Sequence, residues 1–186
     1  MKPGETHNNL LLKDSLWLGG KVDGDMADYV GESFAKLMAR GAPPITVYIT
    51  SSGGSVTVGL DIYDMLSVYP GRVKGVVAAF ARSIAVVILQ ACTTRTAFEH
   101  ARILIHHIST QEITLDEMRS WKKKQEILAD MEKNQERLYR ILSRRTGKPV
   151  ADIRRTCKKN KDMTAREALA FGLIDDIMPV REDIRK

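Results

Sequence analysis

Short apolar runs alternate with longer amphipathic stretches along most of the chain. The run ITVYIT at 45–50 is β-branched and aromatic and carries no charge, which is typical of a buried strand. The pattern predicts further strands at 16–19, 73–78 and 102–106, a turn at 51–54, and helices at about 26–39, 55–68 and 83–92. Because strand and helix alternate, we expect parallel strands covered by crossover helices, which indicates a layered α/β fold.

A long helix is predicted at about 115–145. Asp116 and Glu117 at its start and Arg144 and Arg145 at its end suit the helix dipole, and the glycine at 147 is a stop signal. A helix of this length spans about 45 Å, more than one side of a small domain needs. Its apolar stripe has glutamines at 125 and 135. We therefore expect part of it to contact another subunit; an ordinary surface helix is the alternative.

Composition limits the class of protein. With 186 residues and 44% hydrophobic residues, the chain suits one compact domain. Charged residues interrupt every long apolar run, so no membrane span is expected, and the N-terminus lacks a secretory pattern, which favours a cytoplasmic location. Cys92 and Cys157 stand far apart, so both are expected to be reduced thiols, with no metal site and no cofactor.

The net charge of +6 raises the question of nucleic-acid binding. The excess charge lies largely in basic clusters at 122–124, 144–145, 154–155 and 158–161. No aromatic residues are interleaved with them as a single-strand platform requires, so a solvated face is the preferred interpretation and no nucleic-acid partner is expected.

Ser83 stands where an apolar helix is predicted to begin. Serine is a common N-cap, so this position alone indicates nothing more. A nucleophilic serine also needs a base and donors for the oxyanion. Gly53 and Gly54 follow a buried strand and could present backbone N–H groups, and the amide of Ile84 is a natural second donor.

The candidate base is His106, at the end of the strand-like run RILIH. Side chains of a strand alternate between faces, so His106 and His107 cannot both point into one site. A histidine at a strand end is more often structural than catalytic, so the assignment depends on the resemblance that follows.

Four segments together resemble the ClpP family, the proteolytic subunits of the Clp protease. The segment ITVYITSSGGSVTVGLDIYDML is similar to the family's strand, Gly-Gly turn and helix, AFARSIA is similar to the block around its nucleophile, and RILIHH to the stretch with its base. TAREALAFGLIDDI is similar to its C-terminal signature. The resemblance runs from about residue 11 to 180 and implies Ser83 as nucleophile, His106 as base, and oxyanion amides at the Gly53-Gly54 turn and Ile84.

The family's acidic triad residue falls on Asn160 in this chain. An asparagine carbonyl can orient the ring of His106 but cannot compensate the imidazolium charge, so weakened or conditional activity is expected. Asp162, two residues further on, is the alternative third member.

The resemblance implies a ClpP/crotonase-like layered fold of repeated β-β-α and βαβ units with a long protruding helix for ring–ring contact. It divides the chain into a short N-terminal segment (1–10), a single peptidase domain (11–180) and a C-terminal tail (181–186). It further implies heptameric rings stacked into tetradecamers, a polypeptide substrate, and an AAA+ unfoldase of the ClpX, ClpA or ClpC type as a possible partner.

A serine endopeptidase is therefore the predicted function. Two alternatives are a catalytically weak or inactive ring subunit that regulates an active paralogue, which Asn160 favours, and a crotonase-like acyl-CoA enzyme, which would not require the serine–histidine pair.

Overall fold

The fold of this chain is a mixed α/β structure. The computed structural model describes residues 11, 13–109, 117 and 119–179. Its strands are β1 (Ser15–Val22), β2 (Ile45–Gly54), β3 (Val73–Arg82), β4 (Thr94–Phe98), β5 (Arg102–Ile105), β6 (Lys161–Thr164) and β7 (Asp176–Met178). Its helices are α1 (Gly24–Ala39), α2 (Val56–Ser67), α3 (Ile84–Leu89), α4 (Trp121–Thr146), α5 (Val150–Lys158) and α6 (Ala165–Phe171).

The described strands form one sheet. Strands β1, β2, β3, β4 and β7 lie side by side in that order, and every pair among them is parallel. The two halves of β3 have different neighbours: Lys74–Val77 pairs with β4, and Phe80–Arg82 pairs with β5. Strand β6 runs antiparallel to β5. The predicted parallel α/β arrangement is confirmed, and β5 meets β3 where β3 leads into α3.

Local sequence explains the regular elements. Along β2, buried residues alternate with partly exposed ones from Ile45 to Ser51, as expected of a strand with one face in the core. Helix α1 begins where the Asp23 side chain accepts a hydrogen bond from the N–H of Met26, and α2 begins at Ser55 in the same way. All six residues of α3 are buried, so this short helix lies inside the domain.

The predicted turn at 51–54 is wrong. Strand β2 continues through these residues to Gly54, with Gly53 opposite Lys21 and Gly54 opposite Val22 of β1. The pairing register shifts between Gly20 and Lys21, so β1 accommodates an irregularity there. Glycines in a strand often mark such a bulge or a close backbone approach, and both occur here.

One predicted helix bound also needs correction. Helix α3 ends at Leu89 rather than residue 92. Helix α4 begins at Trp121, where the Ser120 hydroxyl accepts a hydrogen bond from the N–H of Lys123; the predicted start at 115 lies outside the described residues. Its end is as predicted, because Gly147 adopts φ 69° and terminates the helix. With 26 residues, α4 is about 39 Å long.

A buried arginine organises the part of the fold that periodicity did not predict. Arg95 of β4 pairs with Asp175, and its guanidinium also donates to Gln90 Oε1 at 2.6 Å and to the carbonyl of Gly172 at 2.9 Å. Its side chain is only 6% exposed. One charged residue thereby joins β4 to the end of α3 and the segment before β7.

No helix in the described part of the chain has the length and apolar character needed to cross a bilayer. The predicted terminal segments, 1–10 and 181–186, lie outside the described residues.

Candidate active site

Ser83 has an unusual backbone conformation. It lies between β3 and α3 with φ 57° and ψ −130°, a combination that non-glycine residues rarely adopt. Its side chain makes no capping hydrogen bond to α3, so the simple N-cap interpretation does not account for it. Strained backbone of this kind costs about 1–3 kcal/mol and persists only where the surroundings enforce it.

Two neighbouring segments enforce that conformation. The N–H of Ser83 donates to the carbonyl of Leu104 in β5 at 2.9 Å. On the other side, Gly53 has φ 91°, and a methyl group added to it would lie 2.7 Å from Ser83 Cβ and 2.8 Å from the carbonyl oxygen of Arg82. Only glycine fits this approach. The ends of β2 and β3 and the strand β5 therefore meet at the serine.

His106 lies beside Ser83. It follows β5 directly, and both side chains line one cavity of about 20 Å³. The next residue faces elsewhere: the ring of His107 packs edge-on against Tyr139, with centroids 6.0 Å apart, and its Nε2 lies 3.4 Å from the carbonyl oxygen of Arg154. The structure thus separates the two histidines as strand alternation predicts.

The ladder between β5 and β6 ends next to His106 and Asn160. The last paired residues are Ile105 and Lys161, so His106 and Asn160 are the next residues beyond that pair, one on each chain. Asn160 is exposed and has φ 47°. Within the described residues, no hydrogen bond joins its side chain to His106.

Asp162, the alternative third member, stands opposite Leu104. Its Oδ2 lies 3.4 Å from a guanidinium nitrogen of Arg102 and 3.9 Å from one of Arg82. Asp162 therefore lies near two arginines, two residues after Asn160 along the chain.

The candidate oxyanion donors differ in availability. The N–H of Gly53 donates to Ser51 Oγ at 3.1 Å, and that hydroxyl in turn donates to the carbonyl of Gly20 at 2.6 Å. The N–H of Gly53 is thus already hydrogen-bonded inside the protein, which leaves the N–H of Gly54 as the better candidate of the two. Ile84 is the first residue of α3, so its N–H has no acceptor within the helix.

A thiol also reaches the cavity, because Cys157 is among its lining residues. Burial raises the pKa of Cys157 to about 12, so the thiol stays protonated at neutral pH and is a poor nucleophile. No group of His, Cys, Asp and Glu in the ranges 13–109 and 119–179 is arranged to hold a metal ion.

Comparison with known proteins assigns the chain to a family. The family model described as Clp protease matches residues 4–181, nearly the whole chain. The chain belongs to the Clp protease family. The chain is 33% identical over 185 residues to the ATP-dependent Clp protease proteolytic subunit 2 of Thermobifida fusca (strain YX), a match that covers 97% of this chain and 88% of that protein.

Two further relatives lead to the same family. Subunit 1 of the same organism is 30% identical over 186 residues, covering 98% of this chain and 82% of that protein. The proteolytic subunit of Porphyromonas gingivalis (strain ATCC BAA-308 / W83) is 31% identical over 178 residues, covering 94% of this chain and 78% of that protein. The chain thus has the ClpP fold, and its family membership supports a ClpP-like serine protease at the level of the family.

Sequence reasoning missed one polar residue of this Clp protease family site. Gln135 was noted only as an interruption of the apolar stripe of α4, yet its Oε1 accepts a hydrogen bond from the N–H of Ile108 at 2.5 Å, and both residues line the cavity with Ser83 and His106. The interruption was the available signal, since a polar side chain on an apolar face needs a partner.

Proposed function

We propose that the protein is a serine endopeptidase in which Ser83 is the nucleophile, His106 the general base and Asn160 the residue that orients the histidine. The observation that carries the proposal is the strained backbone of Ser83 beside His106 in one cavity. A serine held in a costly conformation, with no capping bond to justify it, is the expected form of a nucleophile.

The reaction follows from these positions. His106 takes the hydroxyl proton as Ser83 Oγ attacks the peptide carbonyl, and the amides of Gly54 and Ile84 stabilise the oxyanion that forms. The histidine then gives its proton to the leaving amine, which breaks the C–N bond and leaves an acyl-enzyme. Water activated by His106 releases the acyl group. An extended substrate backbone lying beside Gly54 would be positioned by main-chain hydrogen bonds, which do not depend on the side chains.

A reactive-serine probe tests the nucleophile. A fluorophosphonate is expected to label the native protein at Ser83, forming an Oγ–P bond as fluoride leaves. Trypsin cleaves after Arg82 and Arg95, so the label should be found by mass spectrometry on the peptide 83–95. A Ser67→Ala variant, which alters an exposed serine at the end of α2, should label equally. Labelling of another residue in the native protein would contradict the assignment.

An Asn160→Asp variant is expected to hydrolyse peptides faster, by about 10-fold or more in kcat. A carboxylate compensates the imidazolium charge that an amide cannot, and the reverse change costs about 10⁴-fold in a trypsin-like triad. Steady-state peptide hydrolysis measures the effect. If Asp162 were the true third member, Asp162→Asn would instead lose activity and Asn160→Asp would change nothing.

We also propose that the subunits assemble into heptameric rings and that α4 joins two rings into a stacked pair. An AAA+ unfoldase would deliver polypeptide substrates to this assembly. The amino-terminal part of α4 supports this, because Trp121 is 72% exposed and Leu128 50% exposed. Large apolar side chains exposed together on a helix are typical of an interface that forms on assembly.

The second candidate function is a catalytically silent ring subunit that regulates an active paralogue. Asn160 favours it, because the proposed triad has an amide where a carboxylate would serve better. A protein that assembles into rings but neither takes the fluorophosphonate nor hydrolyses peptides would support this candidate over the first.

A further inference from the structure

The cavity beside Ser83 is very small. It measures about 20 Å³, little more than one water molecule requires, and its walls are otherwise mostly apolar. The other apolar or weakly polar lining residues are Val87, Ile105, Ile108, Leu138, Leu142 and Cys157. Under the proposed function, this is where the side chain preceding the scissile bond would enter, because the acyl carbon must lie at Ser83 Oγ.

A much larger space lies on the other side of Gln135. A groove of about 540 Å³ runs beside α4, and Gln135 and Ile108 line both it and the small cavity. These two residues therefore form the wall between the two spaces. Leu128 and Met131 contribute apolar surface to the groove, which is wide enough for a large side chain.

The hydrogen bond between the two residues holds that wall in place. Gln135 Oε1 accepts from the N–H of Ile108 at 2.5 Å, which joins α4 to the segment that follows His106. Moving the glutamine aside would leave a partly buried backbone donor without its partner, and an unpaired buried donor is costly. The wall is thus a fixed feature rather than a side chain that yields to substrate.

We infer that Gln135 restricts the residue before the scissile bond to a small side chain, such as alanine or serine. The inference rests on the proposed function, and it names the substrate class of that site. A leucine or phenylalanine side chain would have to displace Gln135 and break its bond to Ile108. Removal of the glutamine side chain would join the cavity to the groove and admit large apolar residues.

Two peptide diphenyl phosphonates test this, one with an alanine-type and one with a leucine-type side chain next to phosphorus. Each reacts by forming a bond between Ser83 Oγ and phosphorus while phenol leaves with the serine proton. The native protein is expected to react at least about 10-fold faster with the alanine probe. In Gln135→Ala the ratio should fall at least about 10-fold, as the leucine probe gains access.

Gln135→Glu is the matched control, because a carboxylate of the same length accepts the same hydrogen bond and should keep the preference for the alanine probe. Thermal unfolding of all three proteins checks that they remain folded. A native protein that reacts equally with both probes, or a Gln135→Ala ratio equal to the native one, would overturn the inference. A simple fluorophosphonate separates the two proposals. If it labels Ser83 but the alanine-to-leucine rate ratios are not as expected, only the inference on Gln135 is wrong. Absence of all labelling overturns the proposed function and the inference with it.

Discussion

Peptide hydrolysis by Ser83→Ala is expected to fall by at least about 10⁴-fold in kcat/KM, and His106→Ala should show a loss of similar size. In the proposed mechanism the serine supplies the attacking oxygen and the histidine removes its proton, so neither works alone. Because the two act as one unit, the double variant should be no slower than either single variant. Steady-state cleavage of a fluorogenic peptide measures all three.

The controls for this series are Ser67→Ala and His100→Ala. Both alter exposed side chains outside the cavity, and both should retain the native rate. Losses that multiply in the double variant would show that Ser83 and His106 act independently, contrary to the proposed mechanism. A His106→Ala variant with native activity would contradict the choice of base.

The second large effect concerns stability. Asp175→Asn is expected to lower the free energy of unfolding by about 2–3 kcal/mol, because it leaves the guanidinium of Arg95 inside the protein without its countercharge. This loss is at or below the lower end of the range for breaking a buried ion pair, because the Asp175 side chain is 41% exposed while that of Arg95 is 6% exposed. Urea unfolding at a fixed protomer concentration measures the change.

The neighbouring carboxylate provides the control for the Asp175 variant. Asp176 is exposed, and its Oδ1 accepts only from the N–H of Ile177 among the described hydrogen bonds, so Asp176→Asn should change stability little. Equal effects of the two substitutions would show that the pair with Arg95 contributes no more than a surface carboxylate.

The stability difference between native protein and Asp175→Asn should also depend on pH. Burial by itself raises the pKa of Asp175, but hydrogen bonds and charge from Arg95 outweigh it and hold the pKa below its ordinary value. As pH falls, the unfolded chain therefore binds a proton at Asp175 before the folded protein does. The contribution of ionised Asp175 to the free energy of unfolding is fully present above about pH 5 and is lost as pH falls through the lowered pKa. The difference between the two proteins should narrow in that acidic range.

Periodicity predicted the centre of the fold because the information there is local. Strand β2 and the helix after it are recognisable from a charge-free run, a pair of glycines and the cap at Ser55. The same reasoning wrongly ended β2 at residue 50. Whether glycines turn or continue a strand depends on a neighbour, and here β1 pairs with them as far as Gly54.

The elements that periodicity missed depend on distant partners. Strand β4 contains Arg95, a residue that argues against a buried strand unless Asp175, 80 positions away, is known to pair with it. Strand β6 has only four residues and a single buried one, Met163. Without that strand, nothing local shows that Asn160 and His106 both follow the last pair of the β5–β6 ladder.

Of the candidate site, too, only a part was predicted from the sequence. Ser83 and His106 were identified from sequence because a resemblance marked both, and the structure brings them to one cavity. The wall formed by Gln135 was not identified, since it depends on the bond between α4 and the backbone of Ile108. Contacts between a helix and an irregular segment follow no periodic pattern.

The left-handed backbone of Ser83 makes loss of function separable from loss of fold. The carbonyl of Leu104 and the close approach of Gly53 hold that one residue in a conformation it would otherwise leave. Under the proposed function, slight loosening at the junction would release the serine to an ordinary conformation and abolish activity before the sheet unfolds. Protein that keeps a native circular-dichroism spectrum but no longer hydrolyses peptides is therefore the expected first product of damage to this molecule.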